Sequence, residues 1–531
     1  MQIRLFSHND ACVATSQRQA DAVAEMLLLN RSIWLQRLVE NPDSFRDVER
    51  DIDQQVRTGG GRFLAALLQE ACETAALKES VGRIRQRTAT PMKAARSGKS
   101  RFRLLCGIVL YVTTLYCPPK PAGRKNCGRP DEEQRTGLFP ELAAFGISIG
   151  CTPAMMETVA RTVAVNPSFN VARRELAQQG IRLDKKTVRR IAVQFGEQIL
   201  TLRRRELAEF RNGSLPAGDE FSGLRIAVQI DGGRLRTRCN KPSGKRRRKG
   251  ERRKFDTPWR EPKALVIFAF DARGKMVSKH RQPLIDGTLL GPDHTAELAA
   301  YHLHRLGAAR AEQVVFIADG ARWIWDRIRW IVKRAGIDAD QVEQVLDFCH
   351  AAHHISLALE ALGFEGEPRK SEYRRLRRQL KAGRWRSVAG ELIGLAIDAP
   401  AESDVWTEID YLLNHGQAGR LAYSRFRRDG LPCGSGAIES TIRRVINLRL
   451  KSNGMFWLEE NAESIFAIRG LWLSDRWDET LVRVRSSMSR DRRRIWKWEA
   501  PDVLQELNTI SESTADSQED EQSQPLTTAA A

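Results

Sequence analysis

The chain has 531 residues, and its 86 lysines and arginines outnumber its 66 aspartates and glutamates, giving a formal net charge of +20. A surplus of this size predicts a partner rich in negative charge. The length suggests roughly three or four domains, each large enough to bury its own core. The longest nearly uncharged apolar run, Leu104 to Cys117, has 14 residues, whereas crossing a bilayer takes about 20. A membrane span is therefore excluded, and nine scattered cysteines argue against a disulfide framework.

The first 100 residues are polar and contain amphipathic stretches. Helices are predicted over Asp21 to Leu38 and Phe63 to Leu77, with the three glycines at 59–61 separating them. Residues 101–117 are rich in β-branched and aromatic side chains and predict extended structure, followed by a loop rich in proline and glycine. We assign residues 1–100 to an N-terminal helical region.

Residues 152–199 are again helical in pattern, with a short glycine-containing connection at 180–184 before the last segment. A helix, a tight turn and a second helix favour a helix-turn-helix, whose second helix enters the major groove of DNA. Four basic residues near the start of the second helix are the candidate contacts: Lys185, Lys186, Arg189 and Arg190. An ordinary helical hairpin has the same pattern and stays the alternative. We assign residues 101–218 to this DNA-binding region.

A dense basic run lies between Arg234 and Lys254, with twelve basic residues against one acidic residue. Such a run repels itself in a packed fold, so it predicts a solvated loop that neutralises phosphate groups. Its candidate DNA contacts are Lys245, Arg246, Arg247, Arg248, Lys249, Arg252, Arg253 and Lys254. A solubilising or localisation tract is the alternative. A second basic stretch, Arg369 to Arg386, has apolar residues at helical spacing and predicts an amphipathic helix with a basic outer face.

Strands and helices alternate in the middle of the chain, and two of the strands end in Asp-Gly. The predicted elements are strands at 224–230, 264–270 and 275–284, a helix at 294–306, a strand at 313–318, a helix at 323–335 and a strand at 342–348. If the fourth strand pairs beside the first, Asp231 and Asp319 emerge together at one edge of the sheet. Adjacent carboxylates repel, and a divalent cation between them removes that cost. Taken singly, each Asp-Gly is also an ordinary turn signal.

A third acidic residue, Glu439, lies in the glycine-rich segment 433–440, just before a predicted helix over 441–450. The glycines permit a close approach of this segment to the sheet edge. With Gly436 at the N-cap, Glu439 would instead occupy the third helical position and cap the helix. Both interpretations stay open from the sequence.

Five short segments resemble the signature blocks of bacterial insertion-sequence transposases of the Asp-Asp-Glu class. They are Ile230-Asp231-Gly232, Ala318 to Trp325, Leu346 to His350, Gly434 to Ser440 and Arg449 to Trp457. The resemblance implies an RNase H-like core that binds two Mg²⁺ or Mn²⁺ ions through Asp231, Asp319 and Glu439. The expected fold class is α/β: an RNase H-like mixed-sheet catalytic core with a helical insertion, preceded by mainly α-helical DNA-binding domains.

The resemblance also divides the remainder of the chain. The core would comprise residues 219–355 and 425–480, and the helical insertion residues 356–424. Residues 481–531 are expected to form a C-terminal helical segment and a disordered tail, because residues from about 511 lack apolar periodicity.

Several further residues are candidates for the site. Asp347 and His350 are similar to an Asp-x-x-His pair of this class and are expected to support catalysis near the scissile phosphate. Four basic residues that follow Glu439 are expected to meet phosphate or merely to solvate that face: Arg443, Arg444, Arg449 and Lys451.

Zinc and base stacking are the less favoured alternatives. His350, His353 and His354 share one helix face, and Cys106, Cys117 and Cys127 lie in one region, but neither set has partners spaced to close a zinc site. Three tryptophans are expected to pack in the core rather than to stack on bases: Trp323, Trp325 and Trp330.

The expected activity is metal-dependent cleavage of DNA at insertion-sequence ends, followed by transfer of the 3′-OH into target DNA. The expected partners are double-stranded DNA and further copies of the chain on that DNA, without a membrane. No phosphate-binding loop of the Gly-x-x-x-x-Gly-Lys type is present, and we expect a cytoplasmic, nucleoid-associated bacterial protein. The alternatives are a non-catalytic DNA-binding regulator descended from a transposase and an RNase H-like nuclease.

Overall fold

The computed structural model describes residues 1–4, 14–86, 93–118, 137–241, 254–277, 282–490 and 506. The chain is a mixed α/β protein that divides into two compact units. The first unit comprises Met1–Gln198 and Leu481–Ile495, and the second comprises Ile199–Thr480 and Trp496–Ala531. Within the described residues, none of the helices is sufficiently long and apolar to pass through a membrane.

The first unit contains an antiparallel hairpin of two long helices, α1 (Ser16–Glu40) and α2 (Phe45–Glu73), followed by α3 (Ala75–Gln86). Near the tip of the hairpin, Arg37 pairs with Asp51 at 2.6 Å. The predicted helix over Asp21 to Leu38 is confirmed as part of α1. The predicted helix over Phe63 to Leu77 is divided at Thr74, where α2 ends and α3 follows.

The break predicted at the three glycines is wrong, because α2 runs through all of them. A Cβ atom on Gly59 would lie 2.4 Å from a methyl group of Val23, and one on Gly61 would lie 2.5 Å from the sulfur of Cys106. These glycines let neighbouring side chains approach the helix backbone, and that packing outweighs their weak helix propensity.

A three-stranded antiparallel sheet also belongs to the first unit. Its strands are β1 (Gln2–Arg4), β2 (Arg96–Arg103) and β3 (Val109–Tyr116), in the order β1-β3-β2. Its core consists of eight buried residues: Ile3, Ala65, Phe102, Leu104, Leu110, Val112, Leu142 and Ile147. The extended structure predicted over 101–117 is confirmed as part of a hairpin that begins earlier, at Arg96.

Four helices follow in the chain: α4 (Pro140–Ala144), α5 (Pro153–Val165), α6 (Phe169–Gln178) and α7 (Lys185–Arg211), the last of which continues into the second unit after Gln198. The connection between α6 and α7 contains Gly180, whose φ of +81° favours glycine. Asp184 accepts hydrogen bonds from the backbone N–H groups of Lys186 and Thr187 at 2.9 and 3.0 Å, which caps α7. The predicted pair of helices therefore forms, and the second continues to Arg211 rather than ending at Leu200.

The second unit is built on a five-stranded mixed sheet. After β4 (Arg225–Gly232), two short ribbons pair β5 (Leu235–Arg236) with β8 (Trp259–Arg260) and β6 (Cys239–Asn240) with β7 (Phe255–Asp256). The other main strands are β9 (Lys263–Ala269), β10 (Leu284–Thr288), β11 (Gln313–Ala318) and β12 (Val342–Leu346). The strand order is β10-β9-β4-β11-β12.

Strand direction changes in the middle of this sheet. β10, β9 and β4 pair antiparallel, whereas β4, β11 and β12 pair parallel. The central positions of β4, β9 and β11 are buried and, apart from Gln229, apolar, as expected for strands covered on both faces. The predicted pairing of the fourth core strand beside the first is confirmed.

The third strand was misplaced by the sequence interpretation, which set it at 275–284. The observed strand β10 begins at Leu284, pairs with Ile267 of β9 and continues to Thr288. The polar residues before Leu284 supply no apolar face, whereas Leu284 and Ile285 are buried against the sheet. The ring of Phe466 lies so close to Gly287 that a side chain at this position would not fit.

Ten α-helices follow β10 in the described part of the chain, and the last of them passes into the first unit at Leu481. In chain order they are α8 (Pro292–Arg305), α9 (Arg322–Ala335), α10 (Phe348–Ala361), α11 (Gly366–Lys381), α12 (Trp385–Leu395), α13 (Asp404–Gln417), α14 (Tyr423–Arg428), α15 (Gly436–Ile442), α16 (Glu459–Leu473) and α17 (Trp477–Arg490). Trp325 and Trp330 of α9 are buried, as predicted, and Trp323 is half-buried.

Two helix predictions need correction. The basic stretch 369–386 is not one helix, because α11 ends at Lys381 and Gly383 adopts a φ of +79° before α12 begins. The helix predicted over 441–450 begins earlier, as α15, and widens into a π-helical turn at Arg443–Asn447.

A buried ionic cluster joins four elements of the second unit. The Arg203 guanidinium of α7 contacts Asp286 of β10 at 3.0 Å and Glu463 of α16 at 2.6 Å. Asp286 also accepts a hydrogen bond from Nε2 of His302 at 2.8 Å. Burial lowers the pKa of His302 to about 4, so its ring is neutral near pH 7 and donates to the carboxylate.

Replacing Arg203 with methionine is expected to lower the free energy of unfolding of the second unit by about 3–5 kcal/mol, because Asp286 and Glu463 would stay buried without their cation. Urea denaturation measures this loss. The matched control is Arg378→Met on the exposed face of α11, which should change stability by less than about 0.5 kcal/mol. Equal effects of the two substitutions would contradict a structural role for the cluster.

Candidate functional site

Two aspartates lie together where β4 and β11 reach the same edge of the sheet. In the parallel pairing of these strands, Gln229 lies opposite Ile317, and the same register continued by two residues sets Asp231 opposite Asp319. Adjacent strands are about 4.8 Å apart. The juxtaposition predicted from the two Asp-Gly pairs is therefore present in the backbone.

The electrostatics of Asp231 reflect this proximity. Burial, followed by the negative charge of Asp319, raises the pKa of Asp231 to about 6, while the nearby His350 opposes the rise. Asp231 also accepts a hydrogen bond from the N–H of Gly232 at 2.5 Å. The negative charge of Asp319 thus disfavours the ionisation of Asp231 when no cation lies between the two carboxylates.

A tyrosine from the helical segment fixes the backbone at Asp319. The hydroxyl of Tyr411, on α13, donates to the carbonyl oxygen of Asp319 at 2.7 Å. Gly320 has a φ of +94°, and a Cβ atom there would lie 2.2 Å from the tyrosine oxygen. The glycine of the second Asp-Gly pair is therefore needed both for the turn and for the contact with Tyr411.

Gln229 attaches the segment that carries Glu439 to the central strand. Its side chain is buried, donates from Nε2 to the carbonyl oxygen of Gly434 at 2.9 Å and accepts from the N–H of Ile438 at 2.9 Å. Two backbone groups at the start of α15 are thereby satisfied by one side chain of β4. Sequence reasoning missed this residue, although a glutamine inside an apolar strand two positions before Asp231 was the available signal.

Glu439 does not cap its helix. The N-cap is Ser435, one residue before the position predicted, and the carboxylate of Glu439 accepts from the hydroxyl of Ser435 at 2.9 Å. The N–H of Ile438 is already bound by Gln229. The capping interpretation is therefore wrong in this structure, and the glutamate is held at the helix start by a serine hydroxyl.

Asp347 and His350 form a hydrogen-bonded pair at the start of α10. Oδ1 of Asp347 accepts from the backbone N–H of His350 at 2.8 Å and lies 3.3 Å from its Nδ1, and Oδ2 accepts from the N–H of Ser435 at 2.5 Å. Burial acts to raise the pKa of Asp347, but these hydrogen bonds hold it below its usual value. The Asp347 side chain thus links α10 to the segment that carries Glu439.

His350 lies among the acidic residues of the site. Its hydrogen bond with Asp347, reinforced by the charges of Asp347, Asp319 and Glu439, raises the pKa of His350 above its usual value despite partial burial. Its charge acts in turn on Asp231. The imidazole therefore interacts electrostatically with all four carboxylates of the predicted site.

A further pair, Glu261 and Lys263, lies beside Asp231 and was not predicted. Lys263, on β9, is paired with Gly232 in the sheet register, and its buried ammonium contacts Glu261 at 2.6 Å. A Cβ atom on Gly232 would lie 1.9 Å from the Glu261 carboxylate. The glycine after Asp231 thus leaves room for an ion pair next to the site.

Among the described residues, no group of three or more His, Cys, Asp or Glu side chains is arranged to hold a metal ion. Neither zinc alternative is supported there: His354 bonds to Glu408 and stacks on Tyr411, and His353 is exposed. Cys127 lies outside the described residues. Asp231 and Asp319 approach each other, but Glu439 is held by Ser435.

The predicted DNA contacts fall into three groups. Those at the start of α7 are exposed in the first unit: Lys185, Lys186, Arg189 and Arg190. In the second unit Arg443, Lys451 and Lys254 are exposed and Arg444 is half-buried. The prediction for Arg449 is wrong, because its side chain is buried and its guanidinium lies over the ring of Trp457. The rest of the basic run lies outside the described residues: Lys245, Arg246, Arg247, Arg248, Lys249, Arg252 and Arg253.

Comparison with protein-family models and with curated proteins gives no match to this chain.

Replacing Asp231 with asparagine is expected to stabilise the metal-free protein at pH 7. The folded state raises the pKa of this carboxyl from 3.8 to about 6, so the native state binds the proton more tightly, and stability is lost as pH rises from about 4 to about 6. This loss does not occur in the variant. Its free energy of unfolding should therefore exceed that of the unsubstituted protein by about 1–3 kcal/mol at pH 7 and by almost nothing at pH 4.

Thermal unfolding in a chelator between pH 4 and pH 8 measures this difference. Asp271 is the matched control, since it lies just after β9. Its pKa is lowered by hydrogen bonds from the N–H groups of Lys275 and Arg273. Asp271→Asn should therefore destabilise at pH 7. A destabilising effect of Asp231→Asn at pH 7 would show that burial and the charge of Asp319 do not disfavour the ionised form of Asp231.

Proposed function

We propose that the chain is a DNA transposase that cleaves phosphodiester bonds at insertion-sequence ends and transfers the resulting 3′-OH into target DNA. The observation that carries the proposal is the alignment of Asp231 with Asp319 where β4 and β11 end, beside the Glu439 segment that Gln229 and Asp347 bind. Asp231, Asp319 and Glu439 also interact electrostatically with His350. These are the three acidic residues that the signature blocks single out. They come from β4, β11 and α15, which are far apart along the chain.

The sheet topology supports an RNase H-like core. β4, β9 and β10 pair antiparallel in sequence order. β11 then pairs parallel with β4, and β12 pairs parallel with β11. This is the arrangement that the resemblance implies for the core, with the helical segment α10–α14 before the glutamate. The exposed basic start of α7 supports a DNA-binding role for the paired helices before the core.

The donors fit a hard divalent cation. Carboxylate oxygens are the ligands that Mg²⁺ and Mn²⁺ prefer, and such a cation would relieve the repulsion between Asp231 and Asp319. Glu439 would join them by giving up the hydroxyl of Ser435. When bound, metal ions supply activation of a water or 3′-hydroxyl and stabilisation of the departing 3′-oxygen.

The chain's own residues orient this chemistry. Gln229 and Asp347 hold the Glu439 segment against the sheet through hydrogen bonds to its backbone, and Tyr411 holds the backbone of Asp319. His350, whose raised pKa favours its charged form, would present positive charge to the scissile phosphate. Such pre-organisation keeps the reacting groups aligned without further ordering.

The test is a strand-transfer assay with purified full-length protein, Mg²⁺ or Mn²⁺ and no ATP. The donor is a plasmid that carries the chromosomal sequences flanking the gene. Cleaved ends joined to a second DNA molecule are the expected product. Cleavage without joining would instead favour the nuclease alternative, and specific DNA binding without either reaction would favour the regulator.

A further inference from the structure

One side of α1 in the first unit presents large apolar side chains to solvent. Leu28 is 71% exposed, Leu35 52% and Val39 73%, and Ala24 one turn before Leu28 is exposed as well. We call these four residues the α1 stripe. Monomeric proteins rarely expose apolar surface of this kind, and where it occurs it usually marks an interaction site.

The stripe is not the face that packs against α2. The inner face of α1 is formed by other residues: Val23 lies against Gly59, and Trp34 is buried. On a helix with 100° per residue, Leu28, Leu35 and Val39 lie roughly 100–140° away from Trp34. The stripe is therefore not covered by α2 and is available to a second partner.

The spacing of the stripe is self-complementary. Ala24, Leu28, Leu35 and Val39 are separated by 4, 7 and 4 residues, so the pattern reads the same in both directions about a point between Arg31 and Ser32. An antiparallel second copy of α1 would set Leu28 opposite Leu35 and Ala24 opposite Val39, twice over. Such matching of a surface to itself is the property of a two-fold interface.

Charge also favours a second copy. Between Glu25 and Arg37, α1 has only one charged residue, Arg31, and depletion of charge is typical of the centre of a protein interface. Arg31 is exposed beside the two-fold point, where its long side chain can turn its charge into water while its stem covers apolar surface.

We propose that α1 pairs with α1 of a second copy of the chain in an antiparallel, two-fold contact centred between Arg31 and Ser32. The proposal does not rest on the proposed function and needs no DNA. A helix of this length presents a face of roughly 37 Å by 10 Å, about half the area that each partner buries in a standard interface. The dimer is therefore a weak one, with a dissociation constant on the order of 1–50 μM.

Sedimentation equilibrium of the full chain, treated with nuclease and kept in high salt, tests the association directly. Dimer is expected to accumulate between about 1 and 100 μM protein. A monomer throughout that range would overturn the proposal. Because no DNA is present, failure here leaves the strand-transfer test unaffected, and the reverse also holds.

Substitutions locate the contact. Leu28→Asp introduces a charge at two symmetric positions of the dimer and is expected to weaken association at least about 100-fold. Leu29 is the matched control, since it is 68% exposed but lies roughly 100° further around the helix. Leu29→Asp should change the dissociation constant by less than about threefold, and an equal loss with both variants would overturn the stripe as the contact.

Cross-linking tests the direction of the helices without relying on destabilised variants. A mixture of Leu28→Cys and Leu35→Cys proteins, treated with a short thiol-specific cross-linker, should give a covalent dimer. Either variant alone should give no more than the unmodified chain, whose own cysteines set the background. Stronger cross-linking of Leu28→Cys with itself would indicate parallel helices and contradict the proposed contact.

Discussion

Asp319→Asn is expected to lower metal-dependent DNA cleavage at least about 10³-fold while changing DNA affinity by less than about twofold. An amide keeps the shape of the side chain and can still accept the hydrogen bond that Asp319 receives from the N–H of Ala321 at 3.1 Å. The bond from Tyr411 goes to the backbone and is unaffected. Only the negative charge at the edge of the sheet is lost.

Cleavage of labelled donor DNA and a filter-binding assay on the same preparations measure the two effects. Asp271→Asn is the matched control, because Asp271 also follows a core strand and accepts backbone hydrogen bonds in a turn. Asp271 lies after β9, at the opposite edge of the sheet, so DNA cleavage by the Asp271→Asn variant should be unchanged. Undiminished cutting by Asp319→Asn would remove this carboxylate from the chemistry and with it the proposed site. Asp231→Asn and Glu439→Gln should repeat the loss.

Gln229→Leu is expected to reduce cleavage about 10²-fold and to lower the free energy of unfolding by about 2–4 kcal/mol. Leucine has a similar size but cannot bond the carbonyl of Gly434 or the N–H of Ile438, and the N–H of Ile438 would stay buried without a partner. The start of α15 would lose its attachment to β4, so Glu439 would no longer be held beside Asp231 and Asp319.

Gln313→Leu is the control for this prediction. Gln313 accepts two hydrogen bonds from Arg225 at 2.9 and 3.1 Å at the other end of β11. Gln313→Leu should therefore lower the free energy of unfolding but leave DNA cleavage unchanged, when cleavage is measured well below the unfolding temperature of each variant. If the two variants lose activity in proportion to their stability, Gln229 has no positioning role.

The sheet was the most predictable part of the second unit. Buried strands such as β11 are continuous apolar runs that end in Asp-Gly, and both signals are local. β10 was misplaced because its apolar residues follow a polar stretch and its position depends on contacts with β9 and Phe466. The glycines at 59–61 misled for a related reason: their packing partners, Val23 and Cys106, are distant in sequence.

The site was predictable only as far as local chemistry reaches. The alignment of Asp231 with Asp319 follows from strand order, whereas Gln229 acts on Gly434 across 205 positions of sequence, and nothing near either residue signals that contact. Glu439 shows the same limit, since the sequence offered a capping role that Gln229 and Ser435 make unnecessary. Side chains that satisfy distant backbone groups leave no periodic pattern.

The hydrogen bond from Tyr411 to the backbone of Asp319 has a consequence for protein synthesis. A nascent polypeptide that has left the ribosome only as far as β12 already contains both aspartates, yet it lacks Tyr411, Ser435 and Glu439. Translation products that stop early would therefore contain the sheet without a completed site. In the proposed transposase, the order of residues along the gene would thus delay reactivity toward the chromosome until the segment with Glu439 has been made.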